Sequence, residues 1–589
     1  MCGIFGYTGN RADAASLVFN GLKTLEYRGY DSWGIAVKPK SDAKVVVKKR
    51  AGKIGNATVD DLPASNFGLG HTRWATHGGV TQRNAHPHLD CSGEIALVHN
   101  GIIENYEELR RLLRPGHRFR SQTDTEVAVH LIEELSETLP FREAVRQAFL
   151  KFTGLNALIV MHPQSQTFVA ARNGSPLVAG FGKNENLIAS DAPALLPHTK
   201  SVYFLEENDL VEIGKDRIEV FSASSGKPKN IKTRRLTWNI KQAEKGKYPH
   251  FMLKEISEQP ALLIDIAHSG LSQANINAGR IDRALDTYLL GCGSAAYAGI
   301  AGAYFFSTIA GRQINPTFGS EFAYLTDFLT SESLVIALSQ SGETMDTLEA
   351  VKAAKAKGAK ILAVVNVLGS TLYREADFKI LIGAGPEKAV ATTKAFTGKL
   401  AHLLLLAYSL AGKPEIGQSL LLKAARMSKH VLTDSYTAKI RLIAGKLKNA
   451  RHIYVIGRGL SYPASLETAL KIKEISYIHA EGFAAGELKH GVIALIERGT
   501  PCLVFLPDDE TYGANLAGAM EMKARGGRII GISHRNHEIF DEFLPVEDAG
   551  KATIIPNIVV GQRLAYELAV LRGLDPDMPR NLAKSVTVK

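Results

Sequence analysis

The feature that most constrains the fold is a strand–turn–helix pattern that occurs twice in the second half of the chain. In the first copy, apolar runs that lead into turns of Gly, Ser or Asn are residues 287–290, 334–338 and 361–365. In the second copy, about 165 residues later, they are residues 452–456, 503–506 and 528–532. Apolar strands that alternate with helices are typical of parallel sheets covered on both faces. The pattern therefore predicts two tandem parallel α/β lobes that arose by duplication.

The first 220 or so residues have a different pattern, with short strands between Gly, Asn or Asp turns. Examples are residues 35–37, 95–98 and 157–160. Two helices stand out, one over Ala14–Tyr27 and one that begins at Asp124. Long antiparallel sheets with two helices predict an αββα sandwich.

A chain of 589 residues is too long for one hydrophobic core, so several domains are expected. Residues 223–250 are rich in Ser, Lys, Pro and Gly, which indicates a linker. We therefore predict a first domain at 1–222, the linker at 223–250, and two lobes at 251–435 and 436–574. Residues 575–589 lack the periodicity of either lobe and are interpreted as a tail.

The net charge of +11 suits an enzyme with anionic substrates, whereas binding of nucleic acid would require a concentrated basic patch. The densest patch, Lys227–Lys247, has eight Lys/Arg and one Glu and is interpreted as a solvated linker. No signal peptide fits the start, because Arg11 and Asp13 interrupt any apolar run. The aliphatic stretch Leu400–Leu410 is too short to cross a bilayer and predicts a buried helix. A cytoplasmic location is expected, with no partner among nucleic acids or membranes.

The four cysteines, at positions 2, 91, 292 and 502, are widely spaced and form no CxxC pair. This spacing argues for a reducing compartment and against both a zinc site and a disulfide framework.

The N-terminal segment contains a candidate nucleophile. Removal of Met1 is expected because residue 2 is small, and it would leave Cys2 with a free α-amine. Such an amine has a reference pKa of about 7.7–8.0, so part of it is a free base near neutral pH. A thiol and a base on one residue form the minimal nucleophile of N-terminal hydrolases. The alternative is that Cys2 only begins an N-terminal strand.

Three further clusters could serve such a nucleophile. Arg73, in the run 70–78, can bind a carboxylate with two hydrogen bonds, although a surface ion pair is the simpler interpretation. Asn100 and Gly101 follow a strand and offer the two kinds of donor that an oxyanion hole needs, or else form a hairpin turn. Asp124 begins a helix, where Asp is most often a cap.

In the first lobe, Ser339–Thr344 lies between a buried strand and a helix. Hydroxyls and free N–H groups at a helix N-terminus suit a phosphate, and the alternative is a Ser-rich capping turn. Gly291–Ser294 ends the preceding strand and could form the opposite wall. The sequence has no GxxxxGK[ST] motif, so a nucleoside triphosphate is not implied.

In the second lobe, Lys471 and Glu474 are three residues apart and share a helix face, where a surface ion pair is the default. His490, in the run 487–491, offers an imidazole for acid–base chemistry. Lys584 lies in the tail, where a lysine is normally only solvated.

The Cys2–Ile4 start, the run 27–32 and the three clusters together resemble the glutaminase domain of the N-terminal-nucleophile (Ntn) amidotransferases. The resemblance implies that Cys2 attacks the side-chain amide of glutamine and that Asn100 and Gly101 stabilise the oxyanion. It also implies a set of residues that bind the glutamine substrate: Arg73, Thr76, His77 and Asp124. Ammonia and a glutamyl thioester result, and water hydrolyses the thioester.

The segments 339–344, 471–480, 486–491 and 580–588 resemble, in this order, parts of the two sugar-isomerase (SIS) lobes of the glutamine–fructose-6-phosphate aminotransferase (isomerizing) family. The similarity spans nearly the whole chain. It implies condensation of ammonia with fructose 6-phosphate and ketose–aldose isomerisation, which give glucosamine 6-phosphate and glutamate. It implies a homodimer and no metal or organic cofactor.

The same resemblance assigns roles in the sugar site. The residues implied to bind the sugar phosphate are Ser294, Ser339, Gln340, Ser341, Thr344 and Val390, with Ser341 nearer the sugar.

For the reaction itself, the resemblance implies that Glu474 moves the proton between C1 and C2 with the help of Lys471. It implies that His490 acts across a dimer interface in ring opening, and that Lys584 forms a Schiff base with the ketose. Trp74 is implied to gate an ammonia channel, which would turn a bimolecular step into an intramolecular one.

Three positions depart from the family pattern. Ala295 stands where a hydroxyl is usual, Thr392 replaces a serine, and Trp33 replaces a small residue. We expect a weaker hold on the phosphate or a repacked wall, with the same reaction.

Three alternatives stay open from the sequence. One is an aminotransferase of this type that acts on a different sugar phosphate. Another is a sugar-phosphate sensor, although Lys471, Glu474, His490 and Lys584 are more than a sensor needs. The last is an amidotransferase of the asparagine-synthetase or phosphoribosyl-transferase kind, which the missing pyrophosphate signature after residue 250 disfavours.

Overall fold

The computed structural model describes residues 2–39, 44–162, 164–236 and 244–586, and the chain divides into two compact units. The first unit contains the residues up to Glu244 and those from Ala583 onward. The second unit spans Lys245–Leu582.

The first unit contains an eight-stranded antiparallel sheet. Its strands are β1 (Gly3–Gly9), β2 (Ser32–Val37), β3 (Val46–Ala51), β4 (Phe67–Arg73), β9 (Val178–Phe181), β10 (Glu185–Ala189), β11 (Ser201–Phe204) and β14 (Arg234–Arg235). Their order is β14-β11-β9-β10-β1-β4-β2-β3, so β1 and β4 are central.

A six-stranded antiparallel sheet packs against the first. Its strands are β5 (His88–Leu89), β6 (Ala96–Gly101), β7 (Asn156–His162), β8 (Thr167–Asn173), β12 (Asp209–Ile213) and β13 (Ile218–Ser222), in the order β13-β12-β8-β7-β6-β5. Side chains of alternate residues on both sheets, such as Ile4, Leu69, Val98 and Ile159, form the core between them. The period of two in these strands places one residue in each pair on this inner face.

Helices cover the outer faces of both sheets. Helix α1 (Ala14–Leu25) packs on the first sheet. Helices α3 (Asp124–Ser136) and α4 (Phe141–Lys151) pack on the second, beside the short helix α2 (Tyr106–Leu112). The predicted αββα sandwich is confirmed.

Strand β14 lies inside the segment 223–250 that the sequence predicts to be a linker. Arg235 pairs with Ser201 of β11, and Pro228 forms a bridge with Phe221, so the sandwich continues past residue 222. Residues 237–243 of that segment lie outside the described residues.

The first lobe of the second unit is a five-stranded parallel sheet. Its strands are β15 (Thr287–Gly291), β16 (Asn315–Phe318), β17 (Leu334–Ser339), β18 (Lys360–Val365) and β19 (Phe378–Leu381), in the order β16-β15-β17-β18-β19. Its helices are α7 (Ser294–Ala310), α8 (Gly319–Phe322), α9 (Met345–Ala356) and α10 (Thr371–Glu375).

The second lobe has the same strand order. Its strands are β20 (His452–Gly457), β21 (His479–Ala484), β22 (Pro501–Leu506), β23 (Arg528–Ser533) and β24 (Glu542–Pro545), in the order β21-β20-β22-β23-β24. Its helices are α14 (Ser461–Ser476), α15 (Tyr512–Ala524) and α16 (Ile554–Leu571). Both predicted parallel α/β lobes are confirmed, each with its strands in the doubly wound order 2-1-3-4-5.

One large hydrophobic core joins the two lobes. It takes Leu289 and Ile336 from the first sheet and Val455 and Leu503 from the second. Five more helices contribute to it: α5 (Phe251–Ser269), α6 (Leu271–Arg283), α11 (Lys394–Leu410), α12 (Pro414–His430) and α13 (Asp434–Leu447). The stretch Leu400–Leu410 is a buried helix, as predicted.

A membrane-length apolar helix is found once among the described residues, over Gly550–Leu571. Since 83% of its apolar window is buried inside the protein, it is a core helix of the second lobe.

Candidate active sites

Cys2 lies at the start of β1, where the chain enters the central strand of the first sheet. A side chain at Gly3 would lie 2.5 Å from the Thr72 hydroxyl and 2.8 Å from the Cβ of Leu25, so only glycine fits under α1 at this position. The backbone N–H of Trp74 points to the Cys2 sulfur at 3.3 Å. A backbone donor of this kind stabilises a thiolate.

Asn100 is held against Cys2 by a buried histidine. The Asn100 Nδ2 donates to the Cys2 carbonyl at 3.0 Å, and its Oδ1 lies 3.1 Å from His71 Nε2. Burial lowers the pKa of His71 to about 3, so the ring is neutral. A neutral His71 with its proton on Nε2 donates to Asn100 Oδ1, which directs the Asn100 amide N–H groups toward Cys2.

Gly101 ends β6 with a φ of +139°. A Cβ at this position would lie 2.1 Å from the Leu155 carbonyl oxygen. The backbone therefore requires glycine here. Asn100 and Gly101 are paired with Ala157 and Asn156 of β7, so they do not form the alternative hairpin turn.

Arg73 is buried at the end of β4. Its guanidinium donates to the carbonyl of Gly79 at 3.2 Å and to those of His77 and Gly78. Burial lowers the pKa of Arg73, while Cys2 and Asp124 act in the opposite direction. A buried guanidinium held by three carbonyls is no surface ion pair.

Asp124 occupies the first turn of α3, after the extended residue Thr123. Its Oδ2 accepts the Ile103 N–H at 2.7 Å and its Oδ1 accepts the Thr125 N–H at 2.9 Å. The carboxylate thus ties the segment after β6 to the start of α3, in addition to any contact with a ligand.

The loop that follows β4 carries three more predicted residues. Trp74 and His77 are half-buried, and Thr76 is exposed. The His77 ring packs edge-on against Tyr106 at 4.7 Å between centroids. The loop is anchored by Asp31, whose Oδ2 accepts the Ala75 N–H at 2.8 Å.

Sequence reasoning missed a network of buried histidines beneath this site: His71, His86, His88 and His99. His71 stacks on His86 at 4.2 Å, and His99 Nε2 bonds Asn156 Oδ1 at 2.9 Å. Burial lowers the pKa of each of them, so they are neutral hydrogen-bonding groups. The close spacing of these four histidines in the sequence could have indicated this network.

In the second unit, Ser339–Thr344 connects β17 to α9 and forms a compact loop. The Ser339 hydroxyl accepts the Gly342 N–H at 2.9 Å and lies 3.5 Å from the Thr344 hydroxyl. Gly342 has a φ of +68°, and a Cβ there would lie 2.1 Å from the Ser370 hydroxyl. Gln340, Ser341 and Thr344 are half-exposed, and the Ser341 hydroxyl accepts the Glu343 N–H at 3.1 Å.

The end of β15 lies beside this loop. Cys292 Sγ is 3.4 Å from the Thr347 hydroxyl in the first turn of α9. Gly293 has a φ of +54°, and Ser294 begins α7 and is buried. β15 and β17 are neighbours at the point where the strand order reverses, which is where ligands bind in open α/β sheets.

Lys471 is fully buried on α14 between two carboxylates. Its Nζ bonds Glu474 Oε2 and lies 3.5 Å from Glu467 Oε1. Burial alone would lower the pKa of Lys471, but Glu467 and Glu474 outweigh it and raise the pKa. The predicted default of a surface ion pair is therefore wrong for Lys471, because α14 packs this face into the core.

Glu467 is the functional candidate that sequence reasoning missed on this helix. Burial raises its pKa to about 7, against the effect of Lys471, and the Ser294 hydroxyl lies close enough to lower it as well. Helix α7 of the first lobe therefore brings Ser294 next to the Lys471 cluster of the second. The spacing of four residues between Glu467 and Lys471 was the available signal.

Val390 lies in a buried loop before α11. Its N–H donates to the Asp577 carbonyl at 2.9 Å. The buried carboxylate of Glu387 accepts the N–H groups of Thr393 and Ala395, both at 3.0 Å, and acts on the pKa of Lys471. This loop therefore belongs to the surroundings of the Lys471 cluster.

Residues 575–582 have no helix or strand, but they are fixed in place. Asp577 accepts the N–H groups of Phe251 and Met252 at 2.8 Å each and so caps α5. Tyr477 accepts the Arg580 N–H at 2.8 Å, and its ring lies under the Arg580 guanidinium. This part of the tail therefore has no regular element but is held by contacts with α5 and Tyr477.

His490 and Lys584 are the two remaining residues with a predicted catalytic role. His490 is exposed on the 3-10 helix Ala485–His490. Lys584 is half-buried and follows the anchored segment in the chain.

The structure places the three residues that depart from the family pattern. Ala295 is buried in the first turn of α7. The Thr392 hydroxyl donates to Glu387 Oε2 at 2.6 Å. Trp33 is buried in β2 and packs on Phe19 at 5.5 Å between ring centroids.

Comparisons with known proteins agree with this division. A family model described as the SIS domain matches residues 282–409 and 446–563, and one described as a glutamine amidotransferase domain matches residues 71–197. The chain is 44% identical to glutamine–fructose-6-phosphate aminotransferase (isomerizing) of Pyrococcus horikoshii, and the match covers the full length of both proteins. It is 43% identical, again over both full lengths, to the proteins of that name from Thermus thermophilus and Thermococcus kodakarensis.

A solved structure covers the second half. The C-terminal domain of glucosamine-fructose-6-phosphate aminotransferase from Francisella tularensis is 31% identical, with a TM-score of 0.53. The match covers 57% of this chain and 100% of that one.

Proposed function

Because the chain belongs to the glutamine–fructose-6-phosphate aminotransferase (isomerizing) family, we propose that it hydrolyses L-glutamine and transfers the ammonia to fructose 6-phosphate. The products are D-glucosamine 6-phosphate and L-glutamate, the amino-sugar precursor and its by-product.

In the first unit, the Cys2 sulfur adds to the side-chain amide carbon of glutamine. The α-amine of Cys2 accepts the thiol proton and passes a proton to the leaving ammonia. The Asn100 amide and the Gly101 N–H stabilise the oxyanion, and water then hydrolyses the thioester. Arg73, Thr76, His77 and Asp124 bind the α-carboxylate and α-amino groups.

In the second unit, Ser339, Gln340 and Thr344 hold the phosphate, with Ser341 nearer the sugar. Ser294 and Val390 also bind the sugar phosphate. The position of the Ser339–Thr344 loop at the N-terminus of α9 supports this role, because the hydroxyls and the helix dipole favour an anion.

The chemistry on the sugar uses four residues. His490, contributed by the partner subunit of a homodimer, helps to open the ring, and Lys584 forms a Schiff base at C2. Glu474 carries the proton between C1 and C2, and Lys471 holds Glu474 in position. The exposed His490 is compatible with a role across an interface.

The observation that carries the proposal is the buried Glu467–Lys471–Glu474 cluster in a chain that also has an oriented Cys2. A sugar-phosphate sensor needs the phosphate loop, but it has no need for a buried lysine held between two carboxylates. The identical strand order of the two lobes supports their origin by duplication. We also propose a cytoplasmic location, which the use of fructose 6-phosphate as a substrate supports.

The decisive experiment incubates the purified enzyme with glutamine and fructose 6-phosphate and measures the products by mass spectrometry. We expect glucosamine 6-phosphate and glutamate in equal amounts. Amination of another hexose phosphate in preference to fructose 6-phosphate would overturn the substrate assignment.

The division into two sites is tested with Cys2→Ala. This variant should lose glutamine hydrolysis but still convert fructose 6-phosphate to its aldose, because the sugar site keeps its own acid–base residues. Equal loss of both activities would contradict the division. A Lys584→Arg variant should also lose the adduct that borohydride traps, and trapping on another lysine would disprove that role.

A further inference from the structure

A cluster of four metal-ligating side chains lies outside both proposed sites, in the first unit. Its members are Cys91, His117, His130 and Glu133, and one donor atom from each lies within 4.8 Å of all the others. None of the four takes part in the proposed glutamine or sugar chemistry.

The four residues come from three separate segments. Cys91 follows β5, His117 lies in the connection between α2 and α3, and His130 and Glu133 are on α3. The spacing of three residues places His130 and Glu133 on one face of that helix. Because the other two ligands are 39 and 13 residues before His130, no CxxC-type signal marks this site in the sequence.

The donor atoms form a closed ring. Cys91 Sγ lies 3.4 Å from His117 Nδ1 and 3.7 Å from His130 Nδ1. Glu133 Oε2 lies 3.2 Å from His117 Nδ1 and 2.9 Å from His130 Nδ1. Both imidazoles thus converge on the same sulfur and the same oxygen.

The size of the ring fits a first-row divalent cation. The centre of a four-atom ring with these edges lies roughly 2.0–2.4 Å from each donor atom, whether the ring is flat or folded. For comparison, bonds from zinc are about 2.0–2.2 Å to nitrogen or oxygen and about 2.3 Å to sulfur. One thiolate, two imidazoles and one carboxylate are a ligand set that suits zinc-class metals and disfavours magnesium or calcium.

Outer-shell contacts orient two of the ligands as a metal site requires. His117 Nε2 lies 2.8 Å from Glu134 Oε1, so the carboxylate accepts a hydrogen bond from the Nε2–H and the tautomer leaves the Nδ1 lone pair for a metal. The Cys91 N–H donates to Glu133 Oε1 at 3.1 Å, which leaves Oε2 directed at the ring.

One side of the cluster is rigidly packed, and the other is open to an ion from solvent. His130 is 1% exposed, and its ring is packed between those of Phe119 and His117, each at 4.8 Å. Cys91 is exposed, so an ion can reach the ring from solvent. Ligand identity, spacing, outer shell and access are the features by which a metal site is judged.

We propose that Cys91, His117, His130 and Glu133 bind one zinc-class divalent cation. The ion fastens the loop after β5 and the α2–α3 connection to helix α3, whose first turn carries Asp124. Its role is structural, since all four positions are taken by protein ligands. The proposal runs against the expectation, drawn from cysteine spacing, that the chain has no zinc site.

The test uses Co²⁺ as the probe on full-length protein that has been stripped with a chelator. We expect one Co²⁺ per chain, a thiolate-to-cobalt charge-transfer band, visible bands of tetrahedral intensity, and displacement by Zn²⁺. The thermal midpoint of the first unit should rise with Zn²⁺, because the ion binds only the folded state.

Matched variants distinguish this site from other metal ligands. The outer-shell variant Glu134→Gln should weaken Co²⁺ binding by about 10- to 100-fold. Cys91→Ser and Glu133→Gln, which each remove a ligand, should either lose the charge-transfer band or weaken Co²⁺ binding by more than this. Glu137→Gln, which changes an exposed carboxylate paired with Arg114, should bind as the unmodified protein does. Circular dichroism of each metal-free variant checks that it is folded.

Cys2 needs its own control, since an N-terminal aminothiol is itself a metal chelator. The charge-transfer band should persist in Cys2→Ala. Absence of the band from the unmodified protein, its persistence in Cys91→Ser, or its loss in Cys2→Ala would each overturn the proposal.

Discussion

At the scale of single residues, the orientation of Asn100 depends on a histidine that has no catalytic role of its own. His71 is neutral because it is buried, and it fixes which end of the Asn100 amide faces Cys2. The sequence identified Asn100 as a candidate donor, but its orientation follows from a strand pairing that places β4 and β6 in facing sheets.

Replacement of Asn100 by Ala should lower kcat of glutamine hydrolysis by about 10²- to 10³-fold, the effect of losing one oxyanion donor. Isomerisation of fructose 6-phosphate should be unchanged. Steady-state release of glutamate measures the first and aldose formation the second. Asn56→Ala, at an exposed turn of the same unit, is the control. A decrease in kcat of less than tenfold would show that Asn100 is not an oxyanion donor.

Glu467 is the second residue whose environment decides its chemistry. An unfolded Glu ionises near its ordinary value of 4.5, whereas burial raises the pKa of native Glu467 to about 7. Between these two pH values, Glu467 is protonated in the native state but ionised in the unfolded state. The free energy of unfolding therefore falls as pH rises from about 4.5 to about 7, by at most about 1.4 kcal/mol per pH unit.

Glu467→Gln should remove this contribution. Relative to the variant, the unmodified protein should lose stability from pH 5 to pH 7 and no further above about pH 7.5. Thermal midpoints of the second unit across this range make the comparison. Glu415→Gln, in the exposed first turn of α12, should follow the unmodified protein. A parallel pH profile for Glu467→Gln would show that Glu467 ionises normally.

At the scale of elements, Asp577 connects three parts of the second unit. Its carboxylate caps α5, and its carbonyl accepts the N–H of Val390 in the loop before α11. Burial raises the pKa of Asp577, while the N–H groups of Met252 and Phe251 oppose the rise. A segment without regular structure is thus held by a helix N-terminus.

Asp577→Ala should therefore destabilise the second unit by about 1 kcal/mol, the usual effect of a lost cap. It should also slow amino-sugar formation more than glutamine hydrolysis, because the segment leads to Lys584. Urea unfolding and the two product assays measure these effects. Asp434→Ala, at the exposed start of α13, should leave both activities unchanged. Equal loss of the two activities in Asp577→Ala would contradict this account.

At the scale of the whole molecule, the chain carries two chemistries in two compact units. The proposed function requires ammonia to pass from one to the other without mixing with water, where it would be protonated and diluted. The family resemblance assigns the gate of that passage to Trp74, which lies next to Cys2 in the structure.

Trp74→Ala should leave glutamine hydrolysis within a few-fold of normal but reduce the ratio of glucosamine 6-phosphate to glutamate well below one. The two products are measured in the same reaction by mass spectrometry. Trp74→Phe keeps an apolar ring and should largely restore the ratio. A ratio near one in Trp74→Ala would exclude a gating role.

Much of the fold could be predicted from local pattern. The alternation of apolar strands with helices predicts the two parallel lobes, and the strand-rich first part predicts the sandwich. Boundaries were less predictable, because β14 is a two-residue strand whose only signal is its pairing with β11. The ordered segment 575–582 has no periodicity to reveal it, since it is fixed by single contacts from distant residues.

The sequence by itself identified the candidate nucleophile and the candidate phosphate loop and, through the family resemblance, the candidate acid–base residues, because each lies in a short motif. Tertiary structure alone decided that Lys471 is buried, that Ser294 lies near Glu467, and that Cys91 meets two histidines and Glu133. The physical reason is that periodicity relates only residues two to four positions apart in the chain. Which distant side chains meet depends on how whole sheets and helices pack around a common core.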